Sequence, residues 1–429
     1  MSLKWECLSL GDFAQVISGF AFKSKDFKSE GVPVIKIKNI RVGQVDMSDA
    51  SYVDPAFLDR VGKKYRVKSG DILISLTGSH LTLPNSVVGR VALYSGKLGT
   101  SLLNQRAGKI LVTRPDKVTS SFLLYVLYTE EIGKNIALMA HGSASQANVS
   151  PSQVESLKIL LPPLPTQHKI AAILSAYDDL IENNNRRIEI LEEMARMLYR
   201  EWFVKFRYPG HESDRFYESE LGLIPEGWEA KKLTELGFMA RGKSKHRPRN
   251  DPSLYGGEYP FIQTGEVKSC LLYITDYEKT YNDKGLAQSK IWQPGTLLIT
   301  IAANIAETAI ITMPACFPDS IVGFVADSSQ VTPEFLKYRI DDIKVQMQNF
   351  SRGTAQDNLS LEKIKLFDFL VPPKEHIQKY KKITQPAFEQ IKNLQIKNNN
   401  LRQTRDLLLP RLISGEIDVE NLDIKGINN

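Results

Sequence analysis

The stretch TQHKIAAILSAYDDLIENNNRRIEILEEMARMLYREWFVK, residues 166–205, carries apolar residues at alternating steps of four and three. That spacing is typical of a helix that pairs with another helix along a narrow seam. Because no Pro or Gly interrupts residues 166–207, we predict one helix of about 40 residues, roughly 60 Å long. Its seam comprises Ile170, Leu174, Tyr177, Ile181, Asn184, Ile188, Leu191, Ala195, Leu198 and Trp202.

A second, less regular apolar stripe lies near the C-terminus. Pro386 and Pro410 are expected to limit or kink this helix, and Gly415 suits its end. A striped helix must bury its stripe, so we predict that the two helices pair antiparallel within one chain. Pairing between two copies of the chain is the alternative. The second stripe comprises Ala387, Ile391, Leu394, Asn398, Leu401, Leu408 and Leu412, with Arg405 as an interruption.

The rest of the chain is an imperfect tandem repeat. Each half opens on a Trp-Glu pair, continues through a Pro-led apolar run and a buried strand, and closes on an apolar strand followed by two prolines and a helix with three asparagines. The paired landmarks are Trp5-Glu6 and Trp228-Glu229, residues 32–37 and 259–264, 69–75 and 294–300, 142–150 and 353–360, 159–163 and 369–373, and 183–185 and 398–400.

This repeat predicts an α+β chain with two mixed α/β globular domains in a tandem pseudo-two-fold repeat, separated by two long antiparallel helices in a coiled coil. The predicted divisions are a first domain at 1–165, a first helical spacer at 166–207, a second domain at 208–374, and a second helical spacer with a C-terminal tail at 375–429.

Bulk composition is that of a folded protein, with 42% hydrophobic and 24% charged residues among 429. No apolar run reaches the roughly 18 residues needed to cross a bilayer, and the first residues lack the apolar segment of a signal peptide. The three cysteines are far apart and form no C-x-x-C pair, which favours free thiols. We therefore expect a cytoplasmic protein.

Positive charge points to a polyanionic partner. The formal net charge is +6, and residues 241–249, RGKSKHRPR, hold five fixed positive charges. Such a segment is either a solvated loop or a loop that contacts phosphates and reaches base edges.

Catalytic motifs are missing from the sequence. It contains no G-x-x-x-x-G-K-[ST] phosphate loop, no G-x-G-x-x-G after a strand, and no [ND]-P-P-[YF] motif of amino-methyltransferases. The six histidines form no H-x-x-x-H pair. We therefore expect no catalytic residues and no metal site in this chain.

Four phrases give the chain a family resemblance: LPPLPTQHKI at 161–170, REWFVKF at 200–206, GLIPEGW at 222–228 and LISGEI at 412–417. With these phrases, the whole chain resembles the specificity (S) subunits of type I restriction–modification systems. One departure is the second helix entry, PPKEHI at 372–377, which lacks the Gln-x-x-Ile core of the first.

The resemblance implies that each globular domain is a target-recognition domain that reads half of a bipartite, asymmetric DNA site. It also implies that the helices fix the gap between the half-sites and dock two methyltransferase subunits, which bind S-adenosylmethionine and methylate adenine. Two restriction subunits, using ATP and Mg²⁺, are further possible partners that cleave unmodified DNA. No cofactor is expected in this chain itself.

Lys and Arg suit phosphates, while Arg, Asn, Gln and His suit base edges, so we expect DNA contacts from loop residues of these types. The candidate phosphate contacts are Lys23, Lys25, Lys36, Lys38 and Arg41 in the first domain and Arg241, Lys243, Lys245, Arg247 and Arg249 in the second. The candidate base-reading residues are His80, Asn85 and Arg106 in the first domain and His246, Asn250 and Asn304 in the second. The candidate subunit-docking residues are Asn183, Asn184, Asn185, Arg187, Asn398, Asn399, Asn400 and Leu401.

Three alternatives stay open from the sequence. The asparagines can serve only to settle the helix register. The chain can be a stand-alone two-domain DNA-binding regulator or scaffold. It can also be a divergent DNA methyltransferase or nuclease whose site escapes motif recognition.

Overall fold

A computed structural model describes residues 5–81, 83, 87–302, 304–351 and 359–424. The chain forms two compact units. The first unit consists of Met1–Asp179 with Arg402–Asn429, and the second of Leu180–Leu401. Each unit contains a mixed α/β head and part of both long helices. Each of these two units combines a head with helical residues, so they do not test the four-part division predicted from the sequence. That division stays a prediction.

The first unit is rich in short strands, and most of its helices follow residue 119. The strands are β1 Glu6–Ser9, β2 Ala14–Ser18, β3 Phe27–Lys28, β4 Val32–Ile35, β5 Gly43–Gln44, β6 Ser51–Val53, β7 Arg66–Val67, β8 Ile72–Ser75, β9 Thr77–Gly78, β10 Val91–Leu93, β11 Ser101–Leu103, β12 Ala107–Val112, β13 His141–Ser143, β14 Gln146–Asn148 and β15 Lys158–Leu161. The helices are α1 Phe57–Arg60, α2 Ser120–Tyr128, α3 Glu130–Met139, α4 Pro151–Glu155 and α5 Leu164–Tyr199, which continues into the second unit.

Within the described residues, the second unit has fewer strands than the first, and one of its head helices is 19 residues long. The strands are β16 Phe216–Ser219, β17 Gly222–Pro225, β18 Glu229–Lys232, β19 Gly237–Arg241, β20 Tyr255–Pro260, β21 Tyr273–Ile274, β22 Thr280–Tyr281, β23 Leu297–Thr300, β24 Thr308–Ile311, β25 Ile321–Ala326 and β26 Asp368–Val371. The helices are α6 Thr264–Ser269, α7 Asp283–Ala287, α8 Pro333–Ser351, α9 Leu361–Ile364 and α10 Lys374–Ile413, whose last turns belong to the first unit.

The two heads share one sheet topology. The five-stranded sheet of the first runs β2-β12-β8-β10-β5, and that of the second runs β19-β25-β23-β24-β21. In both sheets the first three pairings are antiparallel and the last is parallel. This agreement confirms the predicted tandem repeat of mixed α/β domains. The first head adds a second five-stranded sheet, β3-β6-β4-β11-β7, where the second head has the pair β20-β22.

A two-stranded ribbon ties the start of each head to its end. In the first head Glu6 pairs with Leu161, and in the second Glu229 pairs with Val371. The Trp-Glu and Pro-Pro landmarks of the sequence therefore flank the same antiparallel register in both heads. The motif at 142–150 forms most of the β13-β14 hairpin, whereas residues 353–358 of its counterpart lie outside the described residues.

The first helix follows the predicted stripe and ends in a π-helical turn, Arg200–Val204. Its entry is held by Gln167, which is fully buried. The Gln167 side-chain amide donates to the carbonyls of Lys117 (2.8 Å) and Pro162 (2.9 Å), and its oxygen accepts from the backbone N–H of Thr119 (3.0 Å). Gln167 therefore connects the start of the first helix to the first head through three hydrogen bonds.

The second helix runs without a break through Pro386 and Pro410, so the expectation that they limit it is wrong. Both prolines are exposed. The carbonyls that they cannot bond, those of Lys382 and Asp406, belong to exposed residues that water can reach. Buried neighbours such as Phe388 hold the helix on its opposite side.

The two long helices pair antiparallel within each unit. In the first unit Arg405 bonds to Asp178 (2.5 Å). Lys169 Nζ on the first helix also donates to the carbonyl of Glu420 (2.7 Å), in the segment that follows the second helix. In the second unit the Tyr380 hydroxyl donates to the carbonyl of Ala195 (3.1 Å). These contacts within one chain support intramolecular pairing. Among the described residues, no helix combines the length and apolar character needed to span a bilayer.

Candidate nucleic-acid interface

Four loops meet at one end of the five-stranded sheet in the first head. Strands β2 and β8 end there, while β12, β10 and β5 begin there, as the pairs Ser18–Gly108, Ser75–Ala107, Val91–Ile74 and Gly43–Ala92 establish. We call this surface the first loop end. It comprises the described residues of 19–26, 36–42, 76–90 and 104–106.

Every described DNA-contact candidate of the first domain lies on the first loop end. Loop 19–26 carries two of them, segment 36–42 three, loop 76–90 one, and turn 104–106 one. Asn85 lies outside the described residues. The strand order therefore brings together side chains that are far apart in the sequence. The seven are Lys23, Lys25, Lys36, Lys38, Arg41, His80 and Arg106.

These cations differ in their exposure and in the contacts that they make within the protein. Lys23, Lys25 and Arg106 are exposed and form no ion pair within the described part of the chain. Lys38 pairs with Asp49. The Nζ of Lys36 lies 3.6 Å from the ring centre of Phe27. Burial, together with the charge of Lys38, lowers the pKa of Lys36.

One more basic segment joins the first loop end, although its residues are not among the candidates predicted from the sequence. The 3₁₀ turn Lys63–Tyr65 precedes Arg66, which pairs with Leu102 near the start of turn 104–106. The Tyr65 ring lies 5.7 Å from that of Phe20, on loop 19–26. Arg60, Lys63 and Lys64 are exposed, and the Lys63-Lys64 pair between two arginines was the available signal.

Arg90 plays a structural part at the same end. Its Nη2 donates to the carbonyl of Ile37 at 3.1 Å, which holds segment 36–42 against loop 76–90. Burial, together with the nearby charge of Arg41, lowers the pKa of Arg90. The side chain is half-buried, and its Nε has no hydrogen-bond partner among the described residues.

The equivalent end of the second sheet carries every second-domain candidate. Strands β19 and β23 end there, and β25, β24 and β21 begin there. We call this surface the second loop end, comprising residues 241–254, 270–272, the described residues of 301–307, and 317–320. The candidates on it are Arg241, Lys243, Lys245, His246, Arg247, Arg249, Asn250 and Asn304.

The basic segment 241–250 is anchored rather than freely solvated. The side-chain oxygen of Gln288 accepts the backbone N–H groups of Lys245 (2.5 Å) and His246 (3.0 Å). The Ser289 hydroxyl donates to the carbonyl of Lys243 at 2.7 Å. The loop thus presents its side chains from a fixed backbone, which favours a binding role.

Not all of these side chains are equally open to a ligand. Arg241, Lys243 and Lys245 form no ion pair with any described residue. Arg247 donates from Nη1 to the carbonyls of Ser244 (2.7 Å) and His246 (2.8 Å), which leaves less of its guanidinium for a phosphate.

Two polar candidates also have partners inside the protein. The Nε2 of His246 lies 2.8 Å from Asp251. Hydrogen bonds from Ser253 lower the pKa of that Asp251 carboxyl. Asn304 accepts from Lys268 at 3.2 Å.

Two of the docking candidates, Asn184 and Asn398, are buried in the helix pair. The amide of Asn184 donates to the oxygen of Asn398 at 2.8 Å, and the amide of Asn398 donates to Asn185 at 2.8 Å. These side chains are hydrogen-bonded inside the second unit and buried from a partner. The prediction that Asn184 and Asn398 dock a partner subunit is therefore wrong. A buried Asn pair instead specifies the register of two helices.

The other docking candidates remain predictions. Asn399 donates to the carbonyl of Thr275 at 3.1 Å, which ties helix α10 to the second head. Asn183, Arg187 and Asn400 are exposed, while Asn185 and Leu401 are half-buried.

Replacing Asn398 with Leu is expected to destabilise the helix pair of the second unit. The variant leaves the Asn184 amide buried without its partner, at a cost of about 1–3 kcal/mol in free energy of opening. Peptide-level hydrogen exchange within residues 180–199 measures this. Asn393→Leu, at an exposed position of the same helix, is the control. The double variant Asn184→Leu, Asn398→Leu is expected to regain protection. Equal protection in Asn398→Leu and the control would contradict the buried pair.

Metal chemistry finds no support in the described residues, since no group of three or more His, Cys, Asp or Glu side chains there could hold an ion. Cys7, Cys270 and Cys316 are free thiols, as expected. Burial raises the pKa of the Cys270 thiol to about 11, which disfavours the reactive thiolate.

Known proteins resemble this chain along most of its length. The family model described as the type I restriction modification DNA specificity domain matches residues 2–193 and 225–403. Two specificity subunits of Methanocaldococcus jannaschii are similar: the putative type I restriction enzyme MjaX subunit is 25% identical over 97% of this chain and 94% of its own, and the MjaIX subunit is 27% identical over the same shares. The crystal structure of an S subunit from M. genitalium is 14% identical, covers 96% of both chains and has a TM-score of 0.53.

Proposed function

This chain belongs to the family of type I restriction–modification DNA specificity subunits, and from that premise we propose that its two loop ends are the surfaces that contact DNA. It is a recognition subunit and not an enzyme, which removes the divergent methyltransferase or nuclease as an alternative. Each loop end is proposed to read one half of a bipartite site, and the paired helices to set the gap between the halves.

The observation that carries this proposal is the convergence of cations at one end of the same sheet in both heads. Exposed Lys and Arg side chains on neighbouring loops supply the phosphate contacts that position a reader on a duplex. The anchored loop 241–250 adds a fixed backbone, so the backbone of this loop loses little freedom on binding.

The proposal also accounts for an asymmetric target. At the turn before the second strand of the sheet, the first head carries Arg106 and the second carries Asp319. An arginine suits guanine, whereas a carboxylate accepts from cytosine or orients a neighbouring donor. Two heads with one topology and different loop chemistry would therefore read different half-sites.

The partners follow from the family and are part of the proposal. Two methyltransferase subunits would dock on the exposed helix faces around Asn183, Arg187 and Asn400 and bind S-adenosylmethionine. Two restriction subunits, with ATP and Mg²⁺, would join them for cleavage, in the cytoplasm. A stand-alone regulator is the rival, and it would bind DNA tightly without methyltransferase subunits.

Neutralising Arg241, Lys243 and Lys245 together as Gln is expected to weaken DNA binding uniformly across sequences. Each lost phosphate contact lowers the slope of log affinity against log salt by about one, so the triple variant should lose about three. Titration of a duplex with the chain assembled with its methyltransferase subunits, at several salt concentrations, measures this slope.

The matched control removes the same three charges from helix α10, as Lys379→Gln, Lys381→Gln and Lys382→Gln, all exposed. It is expected to leave the slope near its original value. If both triple variants lose the same slope, the effect is one of net charge, and the assignment of the second loop end fails.

A further inference from the structure

Asp319 faces the basic segment across the second loop end. Its Oδ1 lies 2.5 Å from Nη2 of Arg249, and its Oδ2 lies 3.7 Å from Nη2 of Arg247. A carboxylate at a surface expected to contact phosphates is unfavourable by itself, because it repels the ligand. Its position therefore calls for a role other than phosphate binding.

Backbone contacts fix the distance between these partners. The backbone N–H of Gly242 donates to the carbonyl of Ile321 at 2.8 Å, and that of Lys243 to the carbonyl of Phe317 at 3.0 Å. A Cβ atom at position 242 would lie 2.3 Å from the Phe317 oxygen, so only glycine allows this approach. The Tyr255 hydroxyl donates to the carbonyl of Arg249 at 2.7 Å. These contacts thus hold the backbone segments that carry Arg249 and Asp319 at a fixed distance from each other.

Stability does not explain the ion pair. The side chains of Arg249 and Asp319 are 46% and 38% exposed, and an exposed pair contributes only about 0–1 kcal/mol. What the pair does provide is orientation, because it restricts a long and otherwise mobile side chain.

The remaining guanidinium N–H groups of Arg249 are available to bind a ligand. Its side chain has no partner other than Asp319 among the described residues. A guanidinium that gives one N–H to a carboxylate keeps a planar edge with two parallel N–H groups. That edge matches the O6 and N7 acceptors of guanine in the major groove. Arg247 differs, since two backbone carbonyls occupy its Nη1.

We propose that Arg249, oriented by Asp319, reads a guanine in the half-site of the second head, and is not the phosphate contact predicted from its place in a basic run. This inference rests on the proposed function of the second loop end. It adds the base that is read and a positioning residue for the reader.

The test selects bound sequences from a randomised duplex library, using the chain assembled with its methyltransferase subunits. Arg249→Gln is expected to lose the preference for guanine at one position by about 5- to 140-fold. Asp319→Asn is expected to lose part of it at the same position, and Arg249→Lys to fail to restore it, because lysine has no planar fork. Lys245→Gln, a neighbouring exposed cation, is the control expected to weaken all sequences equally.

The outcomes separate this inference from the proposed function. If Arg249→Gln behaves like Lys245→Gln, with a uniform loss and a salt slope lowered by about one, Arg249 is a phosphate contact and the inference is overturned while the loop end stands. If Asp319→Asn keeps the full guanine preference, its positioning role is overturned. If neither Arg249→Gln nor the triple variant described above alters DNA binding, the proposed function itself fails.

Discussion

Exchange of residues 1–163 for the matching head of another specificity subunit is expected to change one half of the recognised sequence and leave the other half unchanged. The reason is that all loops of the first loop end lie in this segment, and none of the second. Sites that keep the old first half should lose modification by a factor on the order of 10³ or more, the usual margin between specific and non-specific binding. Mapping of methylated adenines in a host that carries this gene and its partner subunits measures the change.

The structure also fixes where this exchange should be joined. Strand β15, Lys158–Leu161, pairs with β1, Glu6–Ser9, so a junction at residue 160 would divide the ribbon between two parents. A junction after Pro163 keeps both strands from one parent. The reciprocal control replaces residues 228–373 and is expected to change only the other half. A change in both halves from either exchange would contradict independent reading by the two heads.

Replacing Trp228 with Ala is expected to lower the free energy of unfolding of the second unit by about 3–5 kcal/mol. The Trp228 side chain is 1% exposed. Its ring stacks on Tyr208 with centres 5.9 Å apart and meets Phe206 at 5.0 Å and Phe203 at 6.1 Å. The expected loss comes from the removal of this packing. Urea unfolding followed by far-UV circular dichroism, which reports on the backbone, measures this loss.

An aromatic control lies in the same unit. Phe216 is 46% exposed, and its ring centre lies 5.9 Å from that of Phe206, at the edge of the cluster. Phe216→Ala is expected to cost much less than Trp228→Ala, since a partly exposed ring loses less contact on truncation. Similar losses from the two variants would show that Trp228 is not at the centre of this packing.

The first long helix was predictable because heptad spacing depends only on local sequence. Ile170, Leu174, Ile181, Ile188 and Ala195 are buried as the stripe predicts. The spacing could not reveal a second buried side, which exists because the helix also packs against the second head. There Tyr199 is 1% exposed and bonds to Asp342 at 2.9 Å.

The loop ends were predictable only in part, as residue types. Lys23 and Arg106 could be chosen as exposed loop cations, but nothing in the sequence places them at one end of one sheet. That requires the strand order, which depends on long-range pairing. The difference between Arg247 and Arg249 was equally hidden, because it depends on which carbonyls and carboxylates the folded loop presents.

The phrases that carried the family resemblance prove to be structural. Gln167 fastens the first helix to its head, and Trp202, Phe203 and Trp228 lie in the core of the second unit. They hold the frame, while the proposed DNA contacts lie in loops outside these phrases. A resemblance built on them therefore identifies the family and says little about the target.

Residues 402–424 belong to the first unit, not the second. Leu412 and Val419 are each 1% exposed and pack in the same core as Ile170 and Leu174. The second unit, by contrast, is one continuous stretch. Domains usually fold in the order of their synthesis, with the N-terminal domain first. Here that order is reversed, because residues 180–401 are all synthesised before residues 402–424, which the first unit needs. A message truncated before the codons for residues 402–424 would leave the second unit complete and the first without part of its core.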